Sequence, residues 1–384
     1  MHSLHNHIAS VILGLALVAT AGAMDLPYDY VVKFTPENAI LGHFSATKKP
    51  VLTIKSGATV RVEVGGGARW GTTDPNTWLK ENGIPTTVET CPAIQETLRV
   101  LAETTNKLPP PEPPPGAPPP APGAAPRGAG GHMLVGPIYI EDAEPGDALE
   151  IRILDVTPRI PYGTVGANPG GGALPDLVPR PFTKVVILDL KRNAGIYDEN
   201  TEVPLGPFNG VMATCPPDSE GSNVRSGPPG AFGGNLDCKE LVAGVSLFLP
   251  VFQKGALYYT GDCHAGQGDG EITVNAIETA NVSTLQFILH KGMKLKGPRA
   301  ESATHYITFG LDPNLDKAMR NAMIETTDFL SEKKGFDFLH AYTLSSIAVD
   351  FHVTQVVDKT LGIHGMIPKK LFVNDTNTFW YRPH

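Results

Sequence analysis

One short polar stretch decides how this chain is interpreted: Tyr259-Thr260-Gly261-Asp262-Cys263-His264-Ala265-Gly266-Gln267-Gly268-Asp269-Gly270-Glu271. In an extended backbone the side chains alternate between two faces, so Asp262 and His264 point the same way. Further along, the side chains of Gln267, Asp269 and Glu271 share a face and glycines occupy the other. A face of glycines allows another backbone or a ligand to come very close. We therefore interpret the stretch as the wall of an active site.

The composition indicates a globular, β-rich protein. At 384 residues the chain can form one large or two medium domains. A formal charge of −8 argues against nucleic acid as a partner, because neutralising phosphates requires a basic face. The chain contains 41 glycines and 36 prolines, which favours short strands joined by turns over a helical fold.

The N-terminus predicts export. Residues 8–20 form an apolar run, and Ala21-Gly22-Ala23 fits a cleavage site, so residues 1–23 are expected to be a signal peptide. The alternative is a buried N-terminal helix. The run is too short for an ordinary membrane span, and no longer apolar run follows, so no membrane partner is expected. We predict a periplasmic or secreted protein.

Export affects the interpretation of the cysteines. Outside the cytosol the four of them permit two disulfides with three possible connectivities, and none has the spacing of a CxxC metal motif. No pairing is assigned. They are Cys91, Cys215, Cys238 and Cys263.

The apolar pattern predicts strands along most of the chain. Residues 50–54 and 59–64 are expected to form a β-hairpin, and residues 94–106 a short helix. Further strands are predicted at residues 136–140, 148–156, 183–190, 245–252, 256–260, 271–278, 283–289 and 304–309. Near the end, Asp312-Pro313 is typical of a helix start, and Gly335 is a stop signal. A second helix is predicted at residues 338–350.

These elements predict a mainly β fold. Its body would be a β-sandwich or barrel, with a minor α+β part formed by a C-terminal helical hairpin. Residues 108–131 are rich in proline and glycine and are expected to be a surface loop. The predicted division is a signal peptide (1–23), an N-terminal β segment (24–107), the surface loop (108–131) and a β-rich catalytic body (132–384).

The Asp262-x-His264 spacing predicts a metal site. Two ligands at positions i and i+2 of a strand can chelate one cation, and imidazole with carboxylate suits zinc. Glu271 could then activate a water on that divalent metal. The alternative is a hydrogen-bonded Asp–His pair that holds a turn. Cys263 is a poor nucleophile candidate, because adjacent strand residues face opposite sides and His264 cannot easily serve as its base.

A second polar cluster, Gly233-Gly234-Asn235-Leu236-Asp237-Cys238-Lys239-Glu240, lies upstream. Asp237 is a candidate third ligand, and Asn235 could orient a substrate carbonyl. The alternative is an Asx turn after the two glycines. His132 and His43 are further candidates, although a lone histidine in such a place is more often a hydrogen-bonded surface residue. No GxSxG, P-loop or dinucleotide-binding motif occurs.

Taken together, these segments resemble the acetamidase/formamidase family. The resemblance runs through His43-Phe44, residues 50–57, 132–138 and 143–147, Gly233-Gly234-Asn235-x-Asp237, Gly261-Asp262-x-His264-x-x-Gln267-Gly268-Asp269-Gly270-Glu271, and residues 350–358. It implies hydrolysis of a short carboxamide, formamide-like or acetamide-like, to a carboxylate and ammonia. It also implies a mainly β, metal-dependent enzyme that forms homo-oligomers.

Matching positions give nine candidate site residues. From ligand chemistry, the metal ligands are expected to be Asp262, His264, Asp237 and His132. The catalytic candidates are Glu271, Asn235, Asp269, Gln267 and His43.

Three features depart from the family pattern. Phe44 stands where many relatives carry tryptophan, residues 108–131 resemble an insertion, and the chain is predicted to be exported. All three bear on the substrate more than on the reaction. They also motivate an alternative function, an exported metal-containing β-rich binding protein of the same fold without amidase turnover.

Overall fold

The computed structural model describes residues 26–107 and 131–381. The predicted signal peptide and all but Gly131 of the predicted surface loop lie outside the described residues. Export and the division into segments therefore stay predictions. Within the described ranges, none of the helices has the length and apolar character needed to span a bilayer.

The structure confirms the mainly β class with a C-terminal pair of helices. The strands are β1 (Tyr30–Val32), β2 (Ala39–Leu41), β3 (His43–Ser45), β4 (Leu52–Ile54), β5 (Thr59–Glu63), β6 (Met133–Ile140), β7 (Ala148–Pro158), β8 (Tyr162–Ala167), β9 (Phe182–Asp189), β10 (Ala194–Asp198), β11 (Thr201–Pro204), β12 (Phe208–Ala213), β13 (Asn223–Arg225), β14 (Gly233–Asn235), β15 (Ser246–Pro250), β16 (Tyr258–His264), β17 (Asn281–His290), β18 (Arg299–Glu301), β19 (His305–Asp312), β20 (Asp350–Gln355) and β21 (Leu361–Pro368). The helices are α1 (Pro75–Glu81), α2 (Pro92–Glu103), α3 (Leu315–Lys334) and α4 (Phe338–Ala348), with short 3₁₀ turns at Asp218–Glu220 and Lys369–Leu371.

Two large sheets enclose the main core. One has the order β1-β5-β17-β7-β15-β18-β19-β21-β20, and the other has the order β14-β12-β16-β6-β2, with β4 pairing in parallel with β6. Smaller sheets have the orders β11-β10-β9-β8 and β13-β3. Tyr258 of β16 meets Phe287 of β17 across the main core, with ring centroids 4.9 Å apart.

Strand β16 is covered on both faces because its side chains alternate. Tyr258 belongs to the main core, whereas Tyr259 packs in a second core with Phe44 and Phe232. Phe44 makes edge-to-face contacts with Phe232 and Tyr259 at 5.5 and 5.8 Å. Strand β16, which ends in the polar stretch, is therefore held in place by aromatic packing on both of its faces.

The predicted hairpin of residues 50–54 and 59–64 is wrong. Both segments are strands, but β4 pairs with β6, whereas β5 pairs with β1 and β17. Gly57 turns the chain at φ +98° and donates its N–H to Phe287 O, which directs β5 into the other sheet. Alternation of apolar residues identifies a strand, but it does not specify the partner.

Residues 271–278 do not form the predicted strand. Glu271 and Val274 have φ values of 43° and 65°, in the left-handed region that strands exclude. The segment is an irregular loop whose last residues bridge to β8 and β16.

The C-terminal end of α3 agrees with the prediction, and its N-terminal end differs. Gly335 ends α3 at φ 70°, as the sequence indicates. The cap is Asn314, whose side chain accepts from Lys317 N, so the helix begins after the predicted Asp312-Pro313 start. Helix α4 ends at Ala348, two residues earlier than predicted, and α1 was not predicted.

Helix α3 packs directly on β19 at Gly310. A Cβ at this position would lie 2.1 Å from Ala322 N and 2.2 Å from Ala318 O. We expect Gly310→Ala to lower the free energy of unfolding by about 1–3 kcal/mol, because the helix must move away from the sheet. Chemical denaturation measures this. The control is Gly297→Ala, where a Cβ would meet nothing within 4 Å. Equal stability of the two variants would contradict the expectation.

Candidate active site

The end of strand β16 brings Asp262 and His264 together. Asp262 Oδ2 lies 3.4 Å from His264 Nε2, and His264 is completely buried. Asp262 has φ 55°, so this residue departs from the extended geometry that the spacing argument assumes. The pair nevertheless forms, within a strand that lies between β12 and β6.

Asp237 reaches the same imidazole from the other side of β12. It follows β14, adopts φ 46°, and places Oδ1 4.0 Å from His264 Nδ1. Gly210 of β12 lies between the two acids. A Cβ there would lie 2.3 Å from Asp237 Oδ1 and 2.6 Å from Asp262 Oδ2. The missing side chain at position 210 is therefore what lets the carboxylates converge.

Glu271 completes one group of ligand-type atoms. It lies in the loop after β16 at φ 43° and is buried. One oxygen or nitrogen each from Asp237, His264 and Glu271 lies within 4.8 Å of the others, and the same is true of Asp262, His264 and Glu278. His264 is thus shared by two overlapping groups.

Two further acids join the cluster although the sequence analysis does not select them. Glu278 Oε1 lies 3.5 Å from His264 Nε2. Asp358 follows β20 at φ 59°, and its Oδ2 accepts a hydrogen bond of 2.9 Å from Asn235 Nδ2. Glu278 stands at the end of a predicted strand and Asp358 at the end of a family motif. Neither pattern distinguishes them from surface acids.

The other predicted site residues divide into two sets. Gln267 donates to Asp237 O at 2.6 Å, and His132 Nε2 lies 4.0 Å from Asp262 Oδ2, so both border the cluster. Asp269 instead accepts from His352 Nδ1 at 3.1 Å, outside the cluster. His43 is buried in β3, with Nδ1 3.0 Å from Leu41 O, and no described ion pair joins it to the acids.

Four acidic residues of the site have left-handed backbones: Asp237, Asp262, Glu271 and Asp358. Residues other than glycine seldom adopt this backbone conformation, and each one that does costs about 1–3 kcal/mol of conformational energy. Strain of this kind persists only where the surrounding structure imposes it. Here it aims carboxylates from four separate segments at one point.

Mutual repulsion and burial alter the acidities. Burial, and then neighbouring carboxylates, raise the pKa of Asp237 and of Glu271 well above the ordinary values. Burial also raises the pKa of Asp358, to about 6. Burial opposes ionisation of Asp262, but the imidazoles of His132 and His264 hold its pKa low. Burial likewise disfavours the His264 imidazolium, yet Glu278 and Asp262 raise its pKa to about 10.

The donor atoms at the centre fit a divalent cation. Both carboxylate oxygens of Asp237, both ring nitrogens of His264 and Oε2 of Glu271 are buried without a hydrogen bond from any described residue. Such atoms are costly to bury unless something pairs with them. Carboxylate and imidazole together are the ligands that zinc takes in catalytic sites.

A cavity of about 350 Å³ gives access to one side of the cluster. Its lining includes the glycine turn at residues 65–67, Arg69, His132, Asp262 and Glu278. Cys263 also borders it, but burial raises the pKa of this thiol, which disfavours a thiolate nucleophile. All four cysteines are buried and free.

The chain is similar to known amidases in sequence and in fold. A formamidase of Methylophilus methylotrophus is 28% identical over 304 residues, covering 59% of this chain and 73% of its own length. An acetamidase of Mycolicibacterium smegmatis is 28% identical over 221 residues, covering 42% of this chain and 54% of its own. The crystal structure of an acetamidase from Bacillus halodurans superposes with a TM-score of 0.69 at 27% identity, covering 89% of this chain and 99% of that one.

A family model matches more than half of the chain. The model of the Acetamidase/Formamidase family matches residues 126–221 and 217–374, which include the acids, His132 and His264. The resemblance that the sequence motifs predict is thereby confirmed. The chain belongs to the acetamidase/formamidase family.

Proposed function

We propose that this amidohydrolase cleaves the C–N bond of a short carboxamide, formamide-like or acetamide-like, to give a carboxylate and ammonia. The observation that carries the proposal is the buried group formed by Asp237, His264 and Glu271 in a member of this family. The names of the relatives, formamidase and acetamidase, support the choice of substrate class.

The residues that would hold the ion are His264 with Asp237 or Asp262, which approach different ring nitrogens, and His132 lies at the rim. A ligand set of imidazole and carboxylates favours zinc. A bound divalent cation would polarise the amide carbonyl and lower the pKa of a water molecule.

Glu271 is assigned the role of general base. Its carboxylate lies within 4.8 Å of ligand atoms of Asp237 and His264, so it can take a proton from the attacking water and return it to the leaving nitrogen. Because Glu271 is buried, bulk water does not compete for that proton.

Asn235 and Gln267 are placed to recognise a primary amide. Asn235 Oδ1 and Gln267 Oε1 are buried acceptors that receive no hydrogen bond from the described residues. Their amide nitrogens are already committed, to Asp358 Oδ2 and Asp237 O respectively. An unsubstituted carboxamide offers two N–H donors on one nitrogen, which matches two free acceptors.

We expect Glu271→Gln to lower the rate of ammonia release from acetamide by at least about 100-fold, because the proton acceptor is lost. Bound metal per chain, measured by elemental analysis, should stay unchanged if Glu271 acts as a base. The control is Glu202→Gln, an exposed residue paired with Arg192. Full activity in Glu271→Gln would remove this residue from the mechanism, and loss of metal would make it a ligand.

The acceptor pair predicts a preference among substituted amides. We expect kcat/KM to fall by at least about 100-fold from acetamide to N,N-dimethylacetamide, because both buried acceptors then lose their donors. N-methylacetamide should lie between them. Hydrolysis is followed by release of acetate. Comparable values for the three amides would contradict the assignment of Asn235 and Gln267.

A further inference from the structure

A second set of ligand-type side chains lies next to the catalytic acids. We call it the Cys238 cluster, and its members are Cys238, Glu240, Asp269, His352 and His364. Cys238 directly follows Asp237, Glu240 comes three residues after it, and Asp269 precedes Glu271 by two residues. His352 and His364 are paired on the neighbouring strands β20 and β21.

The donor atoms of the Cys238 cluster converge. One donor atom each from Cys238, Glu240 and His364 lies within 4.8 Å of the others, and the same holds for Asp269, His352 and His364. Cys238 Sγ is 3.7 Å from Glu240 Oε2, which is 3.4 Å from His364 Nε2. The two imidazoles are stacked, with centroids 5.2 Å apart.

The orientation of His364 points to a ligand. The residue is completely buried, and its Nδ1 lies 2.9 Å from Thr354 Oγ1. Its other nitrogen, Nε2, is buried without a hydrogen bond from the described residues and is directed at Glu240. Histidines that bind metals commonly have this arrangement, with one nitrogen fixed by a hydrogen bond and the other free to coordinate.

His352 lies beside His364 and is held by a carboxylate. Its Nδ1 lies 3.1 Å from Asp269 Oδ2, so the carboxylate can orient the ring. A carboxylate–histidine pair of this kind is a common outer support of zinc ligands.

An ion-pair network is the competing explanation. Lys239 contacts Glu240, and its Nζ lies 3.5 Å from Asp269 Oδ1. This lysine accounts for both carboxylates. Glu240 also lies 3.7 Å from Cys238 Sγ and 3.4 Å from His364 Nε2, so the network reaches both groups. It leaves His364 Nε2 without a hydrogen bond from the described residues. Burial, and then Glu240, raise the pKa of Cys238, so a cation that binds there must displace the thiol proton.

We propose that Cys238, Glu240 and His364 hold a second zinc ion, with His352 beside them. Thiolate, imidazole and carboxylate are all ligands of zinc. The ion would join the segment after Asp237 to strand β21. Asp269, held by His352, would tie the loop that carries Glu271 to the same point. The site would thus fix the positions of the catalytic acids without touching the substrate.

Cobalt(II) provides a specific test, because a thiolate ligand gives a near-ultraviolet charge-transfer band that carboxylate and imidazole ligands do not give. We expect the full chain, stripped of metal and reloaded with cobalt(II), to show this band. Cys238→Ser should abolish it. Cys215→Ser, which alters an equally buried thiol outside the cluster, should retain it. A wild-type protein without the band, or a band that survives Cys238→Ser, would overturn the proposal.

A second variant keeps the test decisive if Cys238→Ser fails to fold. Glu240→Gln keeps the thiol, and should weaken cobalt binding at least about tenfold when the band is titrated. Glu202→Gln should leave the titration unchanged, and unaltered binding in Glu240→Gln would exclude Glu240 as a ligand. The result is independent of the amidase proposal, because the catalytic group contains no cysteine. An inactive protein with the band would refute amide hydrolysis and support the second site.

Discussion

The active site depends on the burial of like charges around one imidazole. Carboxylates of Asp237, Asp262, Glu271 and Glu278 converge on His264, and neither nitrogen of this ring has a hydrogen bond from the described part of the chain. Burying one unpaired charge is costly, and burying several of the same sign is more so. The raised pKa values of Asp237 and Glu271 express this cost. A divalent cation would convert the repulsion into coordination, which is why the donor set favours one.

The fold supplies this arrangement from segments far apart in the chain. Strands β14, β12 and β16 are neighbours in one sheet, so Asp237 and His264 meet across Gly210. Strand β20 belongs to the other large sheet, and Asp358 arrives from its end. Left-handed backbones at four acids turn their side chains inward at a cost in conformational energy. Aromatic packing on both faces of β16 keeps that strained region in place.

The sequence predicts Asp262, His264 and Asp237 as site residues, but it misses Glu278 and Asp358. Asp262 and His264 are two residues apart, so a rule of local geometry suffices to pair them. Glu278 and Asp358 reach the site through strand pairing, which no local pattern encodes. Asp269 alternates correctly with Gln267 and Glu271, yet it faces His352, because the backbone after His264 leaves the strand. The wrong hairpin has the same origin, since alternation identifies a strand but not its neighbour.

The central claim is that one divalent cation holds the acids around His264 in place. The most direct measurement is anomalous scattering from a crystal of the zinc-loaded protein at the zinc absorption edge. The account predicts a peak within coordination distance of one ring nitrogen of His264 and of at least one oxygen from Asp237 or Asp262, independent of any peak beside Cys238. Fully loaded crystals in which no anomalous density lies between these residues would contradict it.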